Sequence, residues 1–219
     1  MTKQNKFLVA FAILGLSVMI LASCGGGSAG KKLANNEFLG NLPNLMYQKA
    51  FTDSVNKAKY NAEMKKLDGK KASDWEKGAK ISKKYKARDN EDDAKYEAEI
   101  EKIKQTLIGK NIPFEVEEGT GYEILSCKIS DVKTDRIYVE FEAKVTDVNK
   151  VFPSKYSKSL SGTPLSIDKN GKQIGIHYFT LNFSDNKEGT TNKGNIDIFL
   201  KKEAAQYADF AKIKFIKKK

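Results

Sequence analysis

Histidine, cysteine, tryptophan and proline are all scarce in this chain of 219 residues, which has one His, two Cys, one Trp and four Pro. Each scarcity excludes something. With His177 as the only imidazole, any serine or cysteine nucleophile that needs a histidine base must use that residue. No serine stands in a recognisable nucleophile elbow. One histidine and so few thiols do not make a zinc site of the usual ligand set. No glycine-rich phosphate loop is present. Asp168-Lys169-Asn170-Gly171-Lys172 begins like a calcium loop, but Lys172 holds a ligand position and Phe179 stands where the closing glutamate belongs. The expectation is therefore no metal, no cofactor and no catalytic residue. Acidic residues are also in deficit, 28 against 39 basic ones, which leaves a formal charge of +11.

Long apolar runs are almost absent too, and the one that exists is at the start. Met1 to Lys6 is short and basic, and Phe7 to Ala22 carries no charge. That run is about 16 residues, short of the roughly 20 that cross the hydrocarbon core as a helix. A basic start followed by a short apolar run and small residues describes an export signal. Leu21-Ala22-Ser23-Cys24 then resembles the lipobox of bacterial lipoproteins. The resemblance implies a diacylglyceryl group on the Cys24 sulfur, cleavage before Cys24, and acylation of the freed amine. Two or more acyl chains anchor stably where one does not. Leu21, Ala22, Ser23 and Cys24 are thus the expected signal-peptidase recognition residues, with Cys24 the lipid attachment site. The same analogy favours the outer membrane, because Gly25 replaces the aspartate that retains such proteins at the inner membrane. Gly25 to Lys32 contains no acid, which favours the periplasmic leaflet over the cell surface.

Processing would remove residues 1–23, including Lys3 and Lys6 and no acid, and lower the charge from +11 to +9. Cys127 would then be the only free thiol, and no internal disulfide could form. It sits on the apolar side of Leu125-Ser126-Cys127-Lys128-Ile129, where free cysteine acts as a small buried hydrophobe.

The mature chain divides by composition. Residues 24–43 open with Gly25-Gly26-Gly27-Ser28-Ala29-Gly30 and suggest a flexible tether. Residues 44–110 suggest a helical hairpin. Leu45, Phe51, Val55, Ala58 and Ala62 step along one face of a first helix, which Asp68-Gly69 ends. Ser73-Asp74-Trp75-Glu76 has capping-box spacing, and Tyr96, Ile100, Ile103 and Leu107 form a second apolar stripe before Gly109 and Pro113. The pattern leaves open whether 73–108 is one helix or two broken near Asp89-Asn90.

Charge in this hairpin is segregated. Lys57 to Arg88 holds twelve basic and four acidic residues, whereas Asp89 to Glu101 holds seven acids and only Lys95. Both signs are available for pairing along or between helices. The basic stretch is also a candidate contact for an anionic envelope partner: a lipid head group, a glycan or an acidic protein. Nucleic acid is not expected at an envelope address.

Residues 111–219 change to a period of two. Ile137, Val139, Phe141, Ala143 and Val145 alternate with Tyr138, Glu140, Glu142 and Lys144. Tyr122–Val132 suits a preceding strand, with Lys133-Thr134-Asp135 as the turn. Asn170-Gly171 between Pro164–Ile167 and Gln173–Phe183 signals a hairpin whose two turn residues take positive φ. Asn195–Leu200 and Phe210–Ile216 complete the set. His177 shares a face with Phe179, Leu181 and Phe183 and suits a structural role. The expected class is α+β, a helical hairpin followed by an antiparallel β-sandwich, with a loose resemblance to immunoglobulin-like domains of envelope lipoproteins.

The functional expectation is a lipid-anchored, non-enzymatic binding or structural module. The alternatives are a carboxylate-dependent hydrolase of cell-wall or imported glycan, whose facing acids would form only in space, and a helper subunit of an envelope complex.

Overall fold

Leu42-Pro43 opens the first helix, with proline in the turn where its missing N–H costs nothing. The computed structural model describes residues 32–67, 69, 71–152, 154–200 and 204–217. Leu21, Ala22, Ser23, Cys24 and the glycine-rich segment lie outside the described residues. Helix α1 spans Leu42–Met64 and α2 spans Ala72–Leu107. The second is a single uninterrupted helix of 36 residues, about 54 Å long at 1.5 Å per residue. No Pro or Gly interrupts it at Asp89-Asn90. No helix among the described residues is long and apolar enough to cross a membrane.

Two expectations for the hairpin are overturned. Ser73 does not cap α2; the residue before the helix is Lys71, which makes no side-chain cap bond, and Ser73 lies within the first turn. The stripe Leu45, Phe51, Val55, Ala58 and Ala62 is not the buried face of α1. Ala58 and Ala62 are exposed, the other three are half-buried, and the inward residues are Met46 and Asn56. Along most of its length α1 faces a polar partner, so polar pairing sets its rotation. Apolar burial sets it only at the base, where Met46 joins Leu39, Leu42 and Leu107. The stripe of α2 behaves as expected: Tyr96, Ile100 and Leu107 are buried and Ile103 packs beside them. Gly109, at φ +82°, ends the helix and donates its N–H to Ile129 O.

The described end of the expected tether, residues 32–43, is not a free linker. Leu39 and Leu42 are fully buried. Asn36 donates to Ala208 O and Phe210 O and accepts from the Phe38 and Leu39 N–H groups. Residues Leu33–Lys219 form one compact unit, and the base of the hairpin shares its core with the strands. The expected division at 110/111 separates two kinds of element, not two cores.

Among the described residues eight strands follow: β1 Phe114–Val116, β2 Tyr122–Val132, β3 Arg136–Val145, β4 Ser159–Asp168, β5 Gln173–Ile176, β6 Phe179–Asn182, β7 Thr191–Phe199 and β8 Phe210–Lys217. A short helix, α3 (Val148–Val151), and a 3₁₀ turn, Gln206–Asp209, sit between them. One sheet has the order β2-β3-β7. The other has β1-β8-β4-β5, with β6 also paired to β4. All pairs are antiparallel except β1 with β8, which are parallel. The β part is thus antiparallel-rich and sandwich-like, but not purely antiparallel as expected.

The alternation in β3 holds throughout. Ile137, Val139, Phe141, Ala143 and Val145 are all fully buried, whereas Tyr138, Glu140, Glu142 and Lys144 are only half-buried. Between the sheets, the Phe141 ring lies 4.8 Å from that of Phe179 and 5.2 Å from that of Phe215. Gly194 makes this possible, since a Cβ there would sit 2.7 Å from the Phe141 ring.

The Asn170-Gly171 hairpin forms, but not with the expected turn. Only Gly171 has positive φ. Its N–H bonds Asp168 O, and Asp168 N–H bonds Lys172 O, giving a three-residue loop with glycine in the left-handed position. The Asp168 carboxylate accepts from the Asn170 and Lys172 N–H groups. Gln173–Phe183 is two short strands, not one. His177 N–H bonds Pro164 O, so the N–H that proline lacks faces this break, and the ladder cannot close there.

Candidate functional site

On α1, Lys49, Asp53, Asn56, Tyr60 and Glu63 recur at steps of four, three, four and three residues, which puts them on one helix face. On α2, Ser82, Tyr85 and Asp89 step by three and four, and Asp92 and Asp93 lie three and four residues beyond Asp89, on the same face. The helices run antiparallel, and the pairs that join them follow in register. Lys49 reaches Asp93 at 2.7 Å, Asn56 meets Asp89 and Asp92, Tyr60 lies 3.4 Å from Ser82, and Glu63 accepts from Lys84 and Tyr85. Between them lies a cleft of about 710 Å³.

Asn56 forms the floor of the cleft. It is 2% exposed, and its Nδ2 donates to Asp89 Oδ1 at 3.2 Å and to Asp92 Oδ2 at 2.9 Å. Those two bonds fix the amide, because a flip would turn its oxygen towards two carboxylates. Its Oδ1 has no hydrogen-bond partner among the described residues. Leaving such an acceptor unpaired costs about 1–3 kcal/mol.

Lys49 holds the end of the cleft nearer the sheets. Its ammonium is bonded to Asp53 and Asp93 and lies 6.0 Å from the Tyr96 ring centre. Burial opposes its charge, the two carboxylates outweigh burial, and its pKa is raised. At the far end, the Lys84 and Tyr85 hydrogen bonds hold the Glu63 carboxyl below its usual range. The Tyr60 and Tyr85 rings meet edge to face at 5.6 Å. Lining cations Lys49, Lys57 and Lys86 are matched by Asp53, Asp89 and Asp93. The lining carries no net charge.

Polar spacing marks this face, and the apolar spacing of α1 points to a different one. Asp89, Asp92 and Asp93 turn towards α1, which is pairing between helices of the kind the segregated charge made available. Several basic residues of the Lys57–Arg88 stretch, among them Lys59, Lys65, Lys66, Lys71, Lys80 and Lys83, are exposed and form no ion pair among the described residues. Among the described residues, no three His, Cys, Asp or Glu side chains converge as a metal would require.

His177 and Cys127 are both buried in the sandwich. Burial pushes the Cys127 thiol up to about 12, so the thiolate that reacts or binds metal is disfavoured. His177 Nε2 lies 2.8 Å from Ser166 Oγ, and Nδ1 lies 3.1 Å from the Asp197 carbonyl oxygen. A serine–histidine contact of this length resembles a nucleophile and its base, and the sequence did not reveal it. Ser166, however, is fully buried and His177 is 6% exposed. The third partner is a backbone carbonyl, not a carboxylate. With Nδ1–H donating to Asp197 and Nε2 accepting from Ser166, the neutral ring is satisfied.

Burial lowers the His177 pKa to about 4, with the Asp197 carbonyl opposing the shift. In the unfolded chain an imidazole titrates near 6.5. Between those values falling pH protonates only the unfolded chain, so stability is fully present above about 6.5 and declines towards 4. Going from about pH 8 to about pH 5 should cost about 2 kcal/mol through this group. Urea melts of the wild type and of His177→Gln check it: the variant should lose that part of the slope. Equal slopes would place the titrating group elsewhere.

Comparison with protein-family models, with curated proteins and with solved structures found no match for this chain.

Proposed function

We propose that this chain is a lipid-anchored cell-envelope protein that works as a non-enzymatic binding module. The observation that carries the reading is the interhelical cleft, lined by Lys49, Lys57 and Lys86, by Asp53, Asp89 and Asp93, and by Tyr60 and Tyr85. The lipobox-like Leu21-Ala22-Ser23-Cys24 and the glycine-rich segment after it support the anchor. The exposed lysines of α1 and α2 support a further contact with an anionic envelope component: lipid head groups, an acidic glycan or an acidic protein. The same surface would serve a helper subunit of an envelope complex.

Carboxylate chemistry gains no support from the shifted acids. Glu63, Glu115, Asp131, Glu140 and Asp185 are all shifted down, each chiefly by hydrogen bonding from a lysine. A general acid for glycoside hydrolysis needs the opposite shift. The immunoglobulin-like reading of the β part is retained as a proposal about use: a stiff sandwich presenting its loops and the hairpin. Its strand order differs from the immunoglobulin pattern, since β2 and β3 pair within one sheet and the first strand lies parallel to the last.

Fractionation and surface proteolysis test the placement. In cells carrying the full chain, the protein should sediment with outer membrane. Protease added to intact cells should spare it until the outer membrane is opened. Prompt loss from intact cells would show surface exposure and overturn the periplasmic placement.

A further inference from the structure

We infer that the tip of the helical hairpin, Trp75 among a cluster of lysines, docks on an anionic lipid surface. The inference rests on the proposed reading of the chain as a cell-envelope protein, which puts it beside a membrane, and names the partner of its exposed lysines. Trp75 supplies the first constraint. It stands in the first turn of α2, and its indole N–H, the only hydrogen-bond donor of that ring, is given to Gly69 O at 3.0 Å. The bond ties the ring to the connection between the helices, yet the residue is 73% exposed. What the ring offers outwards is therefore an apolar face with no donor left. Indole suits the boundary where water meets hydrocarbon.

Charge supplies the second constraint. From Lys65 to Lys84 the chain holds eight lysines, three acids and no arginine. Lys77 pairs with Asp74 and Lys84 with Glu63. Lys65, Lys66, Lys71, Lys80 and Lys83 are exposed and form no ion pair among the described residues. The tip thus keeps an excess of positive charge, whereas the lining of the cleft is balanced. The choice of lysine matters as well. Arginine's planar fork reads a single phosphate or carboxylate in fixed geometry, whereas lysine is a point charge on a flexible stem. A surface of many head groups asks only for the second, and each lysine near it strengthens attraction about fivefold.

Shape supplies the third. Tyr96 donates to Thr134 O and marks where α2 meets the sheets. Trp75 lies on the same uninterrupted helix, about 31 Å from that contact at 1.5 Å per residue. The cleft stops short of the tip, its lining reaching no further than Tyr60 and Ser82. A glycan or an acidic peptide takes a pocket, a groove or a sheet edge. The end of a hairpin, held clear of the sheets, instead meets a plane.

Trp75 is the only tryptophan in the chain, so its fluorescence reports on the tip alone. The full chain, held in vesicles by its lipid, is compared in phosphatidylcholine and in an equal mixture of phosphatidylcholine and phosphatidylglycerol. Both carry brominated acyl chains, which quench indole on contact. Emission should shift to the blue and be quenched in the mixture, and should remain that of an exposed indole in phosphatidylcholine alone. Lys66→Gln and Lys71→Gln, both at exposed positions, should each lower the ratio of quenched to unquenched indole about fivefold, with the thermal melt unchanged. Equal quenching in both vesicles, quenching in neither, or quenching indifferent to the two lysines would each overturn the inference. So would a blue shift produced by soluble polyglutamate or polygalacturonate but not by anionic vesicles, which would make the partner an acidic protein or glycan. Flotation with phosphatidylcholine vesicles reads the anchor separately. If the protein does not float, the same vesicles are added to it in solution, and Trp75 still decides.

Discussion

Phe141→Ala should destabilise the protein by about 3–5 kcal/mol, the range for removing a buried phenylalanine side chain. The ring is fully buried at the centre of β3, between Phe179 of β6 and Phe215 of β8. Gly194 lies against it from β7. Alanine would therefore open a cavity bounded by both sheets, and a glycine offers no side chain to fill it. The rings left behind are part of two ladders and cannot collapse far. The loss combines transfer and cavity terms, which places it towards the upper end of the range. Tyr138→Ala, on the opposite face, should cost much less, because that ring is half-buried with the Lys133 ammonium 5.1 Å from its centre. Paired urea melts check both. Equal effects would mean that the two faces of β3 have been exchanged.

Cys24→Ser should abolish lipid labelling altogether. Serine keeps the size and polarity of the site but lacks the thiol that would accept a diacylglyceryl group. In the proposed reading export depends on the basic start and the apolar run Phe7 to Ala22, so the variant should still reach the membrane. There it should stay uncut, because the peptidase implied by the lipobox resemblance acts on the lipid-modified cysteine. The wild type should incorporate radioactive palmitate and partition into detergent, each buried methylene contributing about 0.8 kcal/mol. The variant should not label, and it should migrate as a larger chain by the retained residues 1–23. Equal labelling of both proteins would put the lipid elsewhere and remove the basis for an anchor at Cys24.

The sequence by itself determined those features that depend on near neighbours in the chain. The period-two pattern of 137–145 and the turn after Val132 placed β2 and β3 almost to the residue. Tyr96, Ile100 and Leu107 declared the buried stripe of α2 because helical spacing alone brings them together. Cys127 and His177 were legible as interior residues for the same reason, each sharing a strand face with apolar neighbours.

What only the tertiary structure decided are contacts between residues distant in the chain. The rotation of α1 was set by Asn56 meeting Asp89 and Asp92, 33 and 36 positions away, and no local spacing contains that information. Apolar spacing suggested a different face because it assumes a greasy partner, and α2 is polar along the cleft. Ser166 came to His177 across a hairpin whose second strand breaks opposite Pro164, and the last strand found the first in parallel. The cleft itself belongs to this second class. It exists because two polar helix faces, each unremarkable as a solvated surface, fold against one another.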